Sequence, residues 1–137
     1  MIAAAATIAV AAAPAAAAVQ CAALPNDPSR QEFIVFFDVG SARLDEAARA
    51  VVQRAARQAT ATFAREICLI GRTSPTGSPQ ANQRLAQQRI QAVQNALVQR
   101  GVRRETIGSS VPGAAFGIRQ DRAENRADRS VTIALVR

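Results

Sequence analysis

The fold prediction rests on the stretch Gly71-Arg-Thr-Ser-Pro-Thr-Gly-Ser-Pro-Gln-Ala-Asn-Gln-Arg-Leu-Ala-Gln-Gln-Arg-Ile90. A strand-like run, Glu66–Ile70, precedes it, and the helical pattern in its second half continues to Arg100. The Gly, Pro, Ser and Thr residues between them allow a tight loop over the end of a strand. Such a loop presents backbone N–H groups, and the start of the next helix adds a partial positive charge. The stretch therefore predicts a strand, an anion-binding loop and a helix.

Four polar side chains of this stretch could line a small pocket. They are the hydroxyls of Thr73 and Ser74, the amide of Asn82 and the guanidinium of Arg89. Arg89 follows the apolar Leu85 by four residues, so both lie near one face of the helix. An ordinary strand–turn–helix with a solvated arginine would show the same local pattern. The local chemistry alone leaves both interpretations open.

The spacing of this stretch resembles the signature of OmpA-like peptidoglycan-binding domains, G-[HYR]-T-D-x-x-G-x3-[YA]-N-x2-L-S-x2-R-A. The residues that match it are Gly71, Thr73, Gly77, Asn82, Leu85 and Arg89. Two other stretches resemble the same family. Phe37-Asp38-x2-Ser41-x2-Leu44 is similar to its first strand and turn, F-D-x2-S-x2-L, and Ala123–Ile133 is similar to A-E-x-R-A-x-N-R-R-V-E-[IV]. The resemblance covers about Phe33–Val136.

This resemblance implies a ligand and a role for several residues. In OmpA-like domains the pocket holds the diaminopimelate of the peptidoglycan stem peptide, whose far end carries an ammonium and a carboxylate. The family arginine binds the carboxylate, which implies that role for Arg89. Thr73 and Asn82 match positions that line the pocket, and Arg129 matches an arginine of the last-strand motif.

The chain departs from the family at the acid that meets the ammonium, because Ser74 stands where the family has Asp. A hydroxyl carries no charge, and a charge-assisted hydrogen bond contributes about 1.5–3 kcal/mol. Its loss predicts ligand binding that is weaker by roughly 10–100-fold. Asp121, Glu124 and Asp128 of the last loop are candidates to replace the missing acid. The last-strand motif also departs at Asp128, Ser130 and Thr132.

The remaining patterns predict a two-layer α/β sandwich of order βαβαββ, with two helices on a mixed four-stranded sheet. The family fold has the same arrangement. The first predicted strand, Glu32–Asp38, is expected to be buried on both faces or nearly so. The other predicted elements are a helix from the Asp45 cap to about Thr62, a strand at Ile67–Ile70, a helix at Pro79–Arg100 with Gly101 as its C-cap, and strands at Glu105–Val111 and Ser130–Val136. The predicted core comprises Phe36, Leu44, Val52, Ile70, Leu85, Val93, Leu97 and Ile133.

The chain of 137 residues predicts a single domain with an N-terminal extension. All 17 basic residues are arginine, and with 10 acids the formal net charge is +7. A basic surface suits nucleic acid or another anionic polymer such as the cell wall. No aromatic residues alternate with the arginines, and the Ala-rich leader indicates export, so nucleic acid is not the expected partner.

The leader predicts a signal peptide at 1–18, a linker at 19–31 and an OmpA-like domain at 32–137. The apolar run ends in the small residues Ala16–Ala18, although no basic residue precedes it. The mature chain is expected to begin near Val19 in the periplasm, with outer-membrane association as an open alternative. Lipidation of Cys21 is a weaker alternative, because the Leu and the small residue expected before a lipidated cysteine are missing.

Two cysteines, Cys21 and Cys68, follow the predicted cleavage site. Export would allow a disulfide between them, whereas Cys68 in a strand could equally be an inert buried side chain. The chain has no histidine and its cysteines are far apart, so the sequence predicts no metal site and no cofactor.

The predicted function is that of an exported, non-enzymatic module that anchors to diaminopimelate-type peptidoglycan non-covalently. Enzymatic residues are not indicated, since there is no histidine base and no Gly-x-Ser-x-Gly motif. The alternative is an OmpA-like structural or protein-interaction domain that has lost the peptidoglycan site. The expected partners are the stem peptide and other envelope proteins.

Overall fold

The computed structural model describes residues 3–6, 21, 30–112 and 124–136. The elements are β1 (Gln31–Phe36), α1 (Glu46–Ala61), β2 (Glu66–Gly71), α2 (Pro79–Gln99), β3 (Ile107–Ser110) and β4 (Ser130–Val136). Short 3-10 turns at Arg104–Thr106 and Arg126–Arg129 precede the last two strands. The predicted order βαβαββ is confirmed.

The N-terminal predictions fall mostly outside this part of the chain. Apart from residues 3–6, Cys21 and residues 30–31, the predicted signal peptide and linker lie outside the described residues, as does Asp121. Among the helices in the described ranges, none has both the length and the apolar character that crossing a membrane requires.

The sheet has the strand order β1-β4-β2-β3, so the last strand in sequence lies beside β2 in its centre. β4 pairs antiparallel with β1 and β2, and β3 pairs parallel with β2. The register places Phe36, Gly71 and Ser130 at one end of the sheet, which we call the Gly71 end. The Glu66 end is the opposite one. Each helix begins at the Gly71 end and ends at the Glu66 end.

The two helices cover one face of the sheet, and the hydrophobic core lies between the helices and that face. The Asp45 side chain caps α1 by accepting a hydrogen bond from the Ala48 N–H at 2.7 Å, as its place in the sequence predicts. Alternate strand residues point inward. The large, fully buried side chains of this core are Val35, Val52, Ile67, Leu69, Val93, Leu97, Val131, Ile133 and Leu135.

The prediction that β1 is buried on both faces is wrong. Val35 is fully buried, but its neighbour Ile34 is 45% exposed. The reason is that Ile34 points to the outer face of the sheet, whereas α1 packs on the inner face of β1. For the same reason Phe36 and Ile70, which were predicted as core residues, are only half-buried on the outer face of the sheet.

The prediction that Leu85 is a core residue of α2 is wrong. Leu85 is half-buried, whereas Ala86, Arg89, Ile90 and Val93 face the interior. The predicted core residues Val52, Val93, Leu97 and Ile133 are confirmed, and Leu44 is half-buried against the core.

The end of α2 follows its sequence signal. Gly101 has φ 92°, a left-handed conformation that glycine adopts without steric cost. The Val102 N–H donates to the Leu97 carbonyl at 3.1 Å, and the Gly101 N–H donates to Val98 at 3.0 Å. This pair of bonds is a Schellman motif, and it confirms the predicted C-cap.

A disulfide joins Cys21 to Cys68, with 5.6 Å between their Cα atoms. Cys68 lies on the outer face of β2, and it forms a small buried cluster with Cys21 and Ala134 of β4. The sequence leaves open whether Cys68 forms a disulfide or is an inert buried side chain, and in the structure it forms the disulfide. The chain before the domain is therefore fixed to the middle of the outer face.

Candidate functional site

The loop after β2 begins at a close contact between β2 and α2. A Cβ atom added at Gly71 would lie 2.9 Å from Cδ1 of Ile90, so a larger residue would force the buried Ile90 side chain of α2 to shift. Gly77 has φ 82°, which also favours glycine. Ser78 then caps α2 by accepting from the Ala81 N–H at 3.3 Å, with Pro79 in the first turn.

Asn82 holds this loop in place. Its amide nitrogen donates to the carbonyl oxygens of Ser74, at 3.2 Å, and Thr76. The Ser74 hydroxyl lies 2.8 Å from that of Thr76 and also accepts from the Thr76 N–H at 3.2 Å. Thr73 is half-buried at the start of the loop. The amide of Asn82 and the hydroxyl of Ser74 therefore bond within the loop itself.

Arg89 links α2 to the turn that follows β1. Its side chain is 3% exposed. Nε donates to the Ser41 carbonyl at 2.8 Å, Nη2 donates to the Asp38 carbonyl at 3.1 Å, and Cζ lies 5.4 Å from the centre of the Phe37 ring. Among the described residues, Nη1 has no hydrogen-bond partner. The guanidinium thus combines a structural role with a donor that the turn does not use.

Arg129 reaches the same turn from the start of β4. Its Nε donates to the Phe37 carbonyl at 3.2 Å, and its Nη1 lies 3.9 Å from Oε1 of Glu124. Burial lowers the pKa of Arg89 below the ordinary arginine value, the Glu124 carboxylate acts to raise that pKa, and the Arg129 guanidinium acts to lower it. Arg89, Arg129 and Glu124 therefore form one interacting group of two cations and one carboxylate.

Asp128 and Glu124 have different surroundings. Asp128 is buried, and its carboxylate accepts from the Asn125 N–H at 2.9 Å, while the Asn125 side chain accepts from the Ala127 N–H at 2.9 Å. This capping box orders the turn before β4. Asp121, the third acid considered from the sequence, lies outside the described residues. Within the described ranges, Glu124 is thus the acid candidate that interacts with Arg89.

The five predicted site residues fall into two groups at the Gly71 end. Arg89 and Arg129 meet at the turn after β1, whereas Thr73, Ser74 and Asn82 belong to the loop after β2. Between described residues, no hydrogen bond or ion pair joins the two groups directly. In the same ranges, no cluster of three or more His, Cys, Asp or Glu residues is placed to hold a metal ion.

Sequence reasoning missed the acceptors of Arg89 and a second arginine contact. The Arg126 guanidinium lies 3.8 Å from the centre of the Phe36 ring on the outer face. The sequence contained a signal for the acceptors of Arg89, because the acceptor carbonyls belong to the Phe37-Asp38-x2-Ser41 motif. The motif shows which residues recur, but not that their backbone oxygens bind a distant guanidinium.

The family comparison agrees with this geometry. The model of the OmpA family matches residues 36–130, which is more than half of the chain. The chain belongs to the OmpA family. The matched range includes the turn after β1, the loop after β2 and both arginines, so the resemblance in the sequence motifs is confirmed.

Solved OmpA-like domains share the fold. The OmpA-like domain of FopA1 from Francisella tularensis is 15% identical, with a TM-score of 0.68 over 77% of this chain and 71% of that chain. The peptidoglycan-associated lipoprotein from Burkholderia pseudomallei is 25% identical, with a TM-score of 0.62 over 76% and 88%. The periplasmic domain of Helicobacter pylori MotB is 19% identical, with a TM-score of 0.60 over 77% and 79%. None of the curated proteins matches the sequence at a significant level.

Proposed function

We propose that this protein is an exported, non-enzymatic module that anchors to the cell wall by binding diaminopimelate of the peptidoglycan stem peptide at the Gly71 end. Membership of the OmpA family and the likeness to a peptidoglycan-associated lipoprotein support this function. The observation that carries it is Arg89, a buried guanidinium that is fixed through Nε and Nη2 and whose Nη1 has no hydrogen-bond partner among the described residues.

The charges of the site suit a zwitterionic ligand. A ligand carboxylate can accept from Nη1 of Arg89, where partial burial strengthens the interaction. The Glu124 carboxylate interacts with both arginines, and it can turn towards a ligand ammonium. Diaminopimelate carries both groups at its far end, so this set of charges matches it better than it matches a simple anion.

Ser74 limits the affinity in this proposal. Its hydroxyl is engaged with Thr76 and supplies no charge to an ammonium. The frame of the loop is intact, since Gly71 packs against α2 and Asn82 holds the loop carbonyls. An aspartate at position 74 would therefore occupy the place that the family acid has, and Ser74→Asp should strengthen binding roughly tenfold or more.

Titration calorimetry with a diaminopimelate-containing stem peptide tests the proposal. Weak binding is expected for the wild type, tighter binding for Ser74→Asp and weaker binding for Glu124→Gln. A stem peptide with lysine in place of diaminopimelate is the matched control, because it lacks only the carboxylate that Arg89 would bind. Equal binding of the two peptides by Ser74→Asp would refute the role of Arg89.

Two other outcomes decide between the functions. Equal and tight binding by the wild type and Ser74→Asp would mean that another acid, with Glu124 as the first candidate, already meets the ammonium. No binding by Ser74→Asp would favour the second function, a structural or protein-interaction domain with envelope protein partners. The local hydrogen bonds of Ser74 and the structural bonds of Arg89 are the observations that favour this alternative.

Export to the periplasm or cell envelope is part of the proposal, with cleavage of 1–18 and an OmpA-like domain at 32–137. Because the Cys21 sulfur is bonded to Cys68, it is not available for a thioether-linked lipid. Mass spectrometry of the exported protein should find a chain that begins near Val19. Residues 1–15 still attached would contradict cleavage, and a diacyl group on Cys21 would establish a lipoprotein instead.

A further inference from the structure

The two helices end in the same motif but with different residues at its left-handed position. α1 ends with the Ala64 N–H donating to Ala59 at 3.0 Å and the Phe63 N–H donating to Thr60 at 3.4 Å. This is the Schellman pattern that closes α2 at Gly101. In α1 the left-handed residue is Phe63, with φ 50°. A side chain with a Cβ atom is disfavoured in that conformation.

Packing of the Phe63 side chain does not compensate for this unfavourable backbone conformation. Its side chain is 87% exposed, more than any other large hydrophobic side chain that the structure describes. It stands beside a groove of about 440 Å³ whose apolar lining includes Ala59, Ala64, Ile67 and Val102. A strained backbone, an exposed aromatic ring and an adjoining apolar groove together indicate a contact surface rather than a requirement of the fold.

The Glu66 end around Phe63 is strongly basic. The exposed arginines here come from α1, the α1–β2 connection, the end of α2 and the α2–β3 connection, and they are Arg57, Arg65, Arg100, Arg103 and Arg104. The exposed acids of this end in the described ranges are Glu32, Glu66 and Glu105, and Oε1 of Glu32 lies 2.7 Å from Nη2 of Arg30. Oε2 of Glu105 lies 3.7 Å from Nε of Arg103 in a solvent-exposed ion pair, which contributes little to stability. The surface around the ring is therefore positive.

We infer that the Glu66 end docks on an anionic phospholipid surface, with Phe63 inserted among the acyl chains and the arginines at the headgroups. A second copy of the chain is a poor occupant, because two basic ends would face each other. A peptide in the groove is a poorer match than a membrane. Arg65 and Arg103 line that groove, but Arg57 and Arg100 line a neighbouring depression, and a flat anionic surface can meet all four.

This docking surface is separate from the proposed peptidoglycan site. The Gly71 and Glu66 ends lie at opposite ends of the six-residue strand β2, which separates them by about 20 Å. One molecule could therefore hold a stem peptide at one end and contact a lipid surface at the other. The inference does not depend on peptidoglycan binding, so each can fail without the other.

Tryptophan fluorescence gives a direct test, because the chain contains no Trp and no Tyr. Phe63→Trp places a single reporter at the tip of the Glu66 end. Val39→Trp is the matched control, since Val39 is an apolar residue 71% exposed in the turn at the Gly71 end. Vesicles of phosphatidylglycerol and phosphatidylcholine should shift the emission of the Phe63→Trp variant to the blue, but not that of the Val39→Trp variant. Phosphatidylcholine alone or high salt should abolish the shift.

Phe63→Gly supplies the second test, because it removes the ring and also suits the left-handed conformation. This variant should fold at least as stably as the wild type. Its partition to the anionic vesicles in co-sedimentation should fall roughly tenfold or more. Equal sedimentation of Phe63→Gly and the wild type would overturn the inference, as would equal shifts for the two tryptophan variants. A shift produced by a Glu-rich, leucine-containing peptide but not by vesicles would replace the lipid surface with a protein partner.

Discussion

Replacing Arg89 with alanine is expected to destabilise the fold as well as to weaken binding. Two hydrogen bonds from a charged donor, to the carbonyls of Asp38 and Ser41, would be lost. Such bonds contribute about 1.5–3 kcal/mol each when their partners are left buried. Asp38 is exposed and Ser41 is half-buried, so water can replace part of this contribution. Relief of the desolvation of the guanidinium offsets another part. We expect a net loss of about 2–3 kcal/mol in the free energy of unfolding.

Urea unfolding followed by circular dichroism measures this loss. Arg84→Ala is the matched control, because Arg84 is exposed on the same helix and should change the free energy of unfolding by less than about 0.5 kcal/mol. If the midpoints of Arg89→Ala and Arg84→Ala coincided, the structural role of Arg89 would be refuted. If Arg89→Ala is destabilised, its loss of peptidoglycan binding will not by itself identify a ligand contact. The comparison of diaminopimelate and lysine stem peptides on the same protein avoids this difficulty.

Three further predictions concern stability and can be measured by the same unfolding assay. Leu97→Ala should cost about 2–5 kcal/mol because Leu97 is fully buried, whereas Leu85→Ala should cost less than half as much. Equal losses would show that α2 is rotated from the described position. Gly71→Ala should cost about 1–3 kcal/mol, since its new methyl group would press on α2, and an unchanged midpoint would contradict that close contact. Reducing the disulfide between Cys21 and Cys68, which are 47 residues apart, should cost roughly 4 kcal/mol on the chain-entropy model. The control is a Cys21→Ser, Cys68→Ser double variant. Its urea midpoint should be the same with and without reductant.

Signals that act within a few residues were sufficient to predict most of the fold. Asp45 before α1 and Gly101 after α2 mark helix ends because capping depends on adjacent backbone groups. The first buried turn of α2 was harder to predict, because Arg89 faces the core although its side chain is charged. Leu85 was therefore taken as a core residue and is half-buried, whereas the later core residues Val93 and Leu97 were predicted correctly.

For the candidate site, the sequence named residues whose ligand binding stays a prediction. The motif selected Arg89 and Asn82, and it showed that Ser74 replaces an acid. It did not show that Arg89 binds backbone carbonyls of the turn after β1, because a backbone acceptor leaves no side-chain signature in the sequence. The local bonds of Ser74 to Thr76 were also missed, since a hydroxyl can bond in many ways without a change in the pattern.

The disulfide determines where a mechanical load on the chain would enter the domain. Without it, tension on the segment before the domain would reach Gln31 first and fall on β1, which among the described strands pairs with β4 alone. With it, the load passes from Cys21 to Cys68 in β2, which is hydrogen-bonded to β4 on one side and β3 on the other. The residues between Cys21 and β1 then lie outside the path of the force. A domain held at the Gly71 end and pulled through this crosslink would resist with its central strands, while its edge strand carried little of the load.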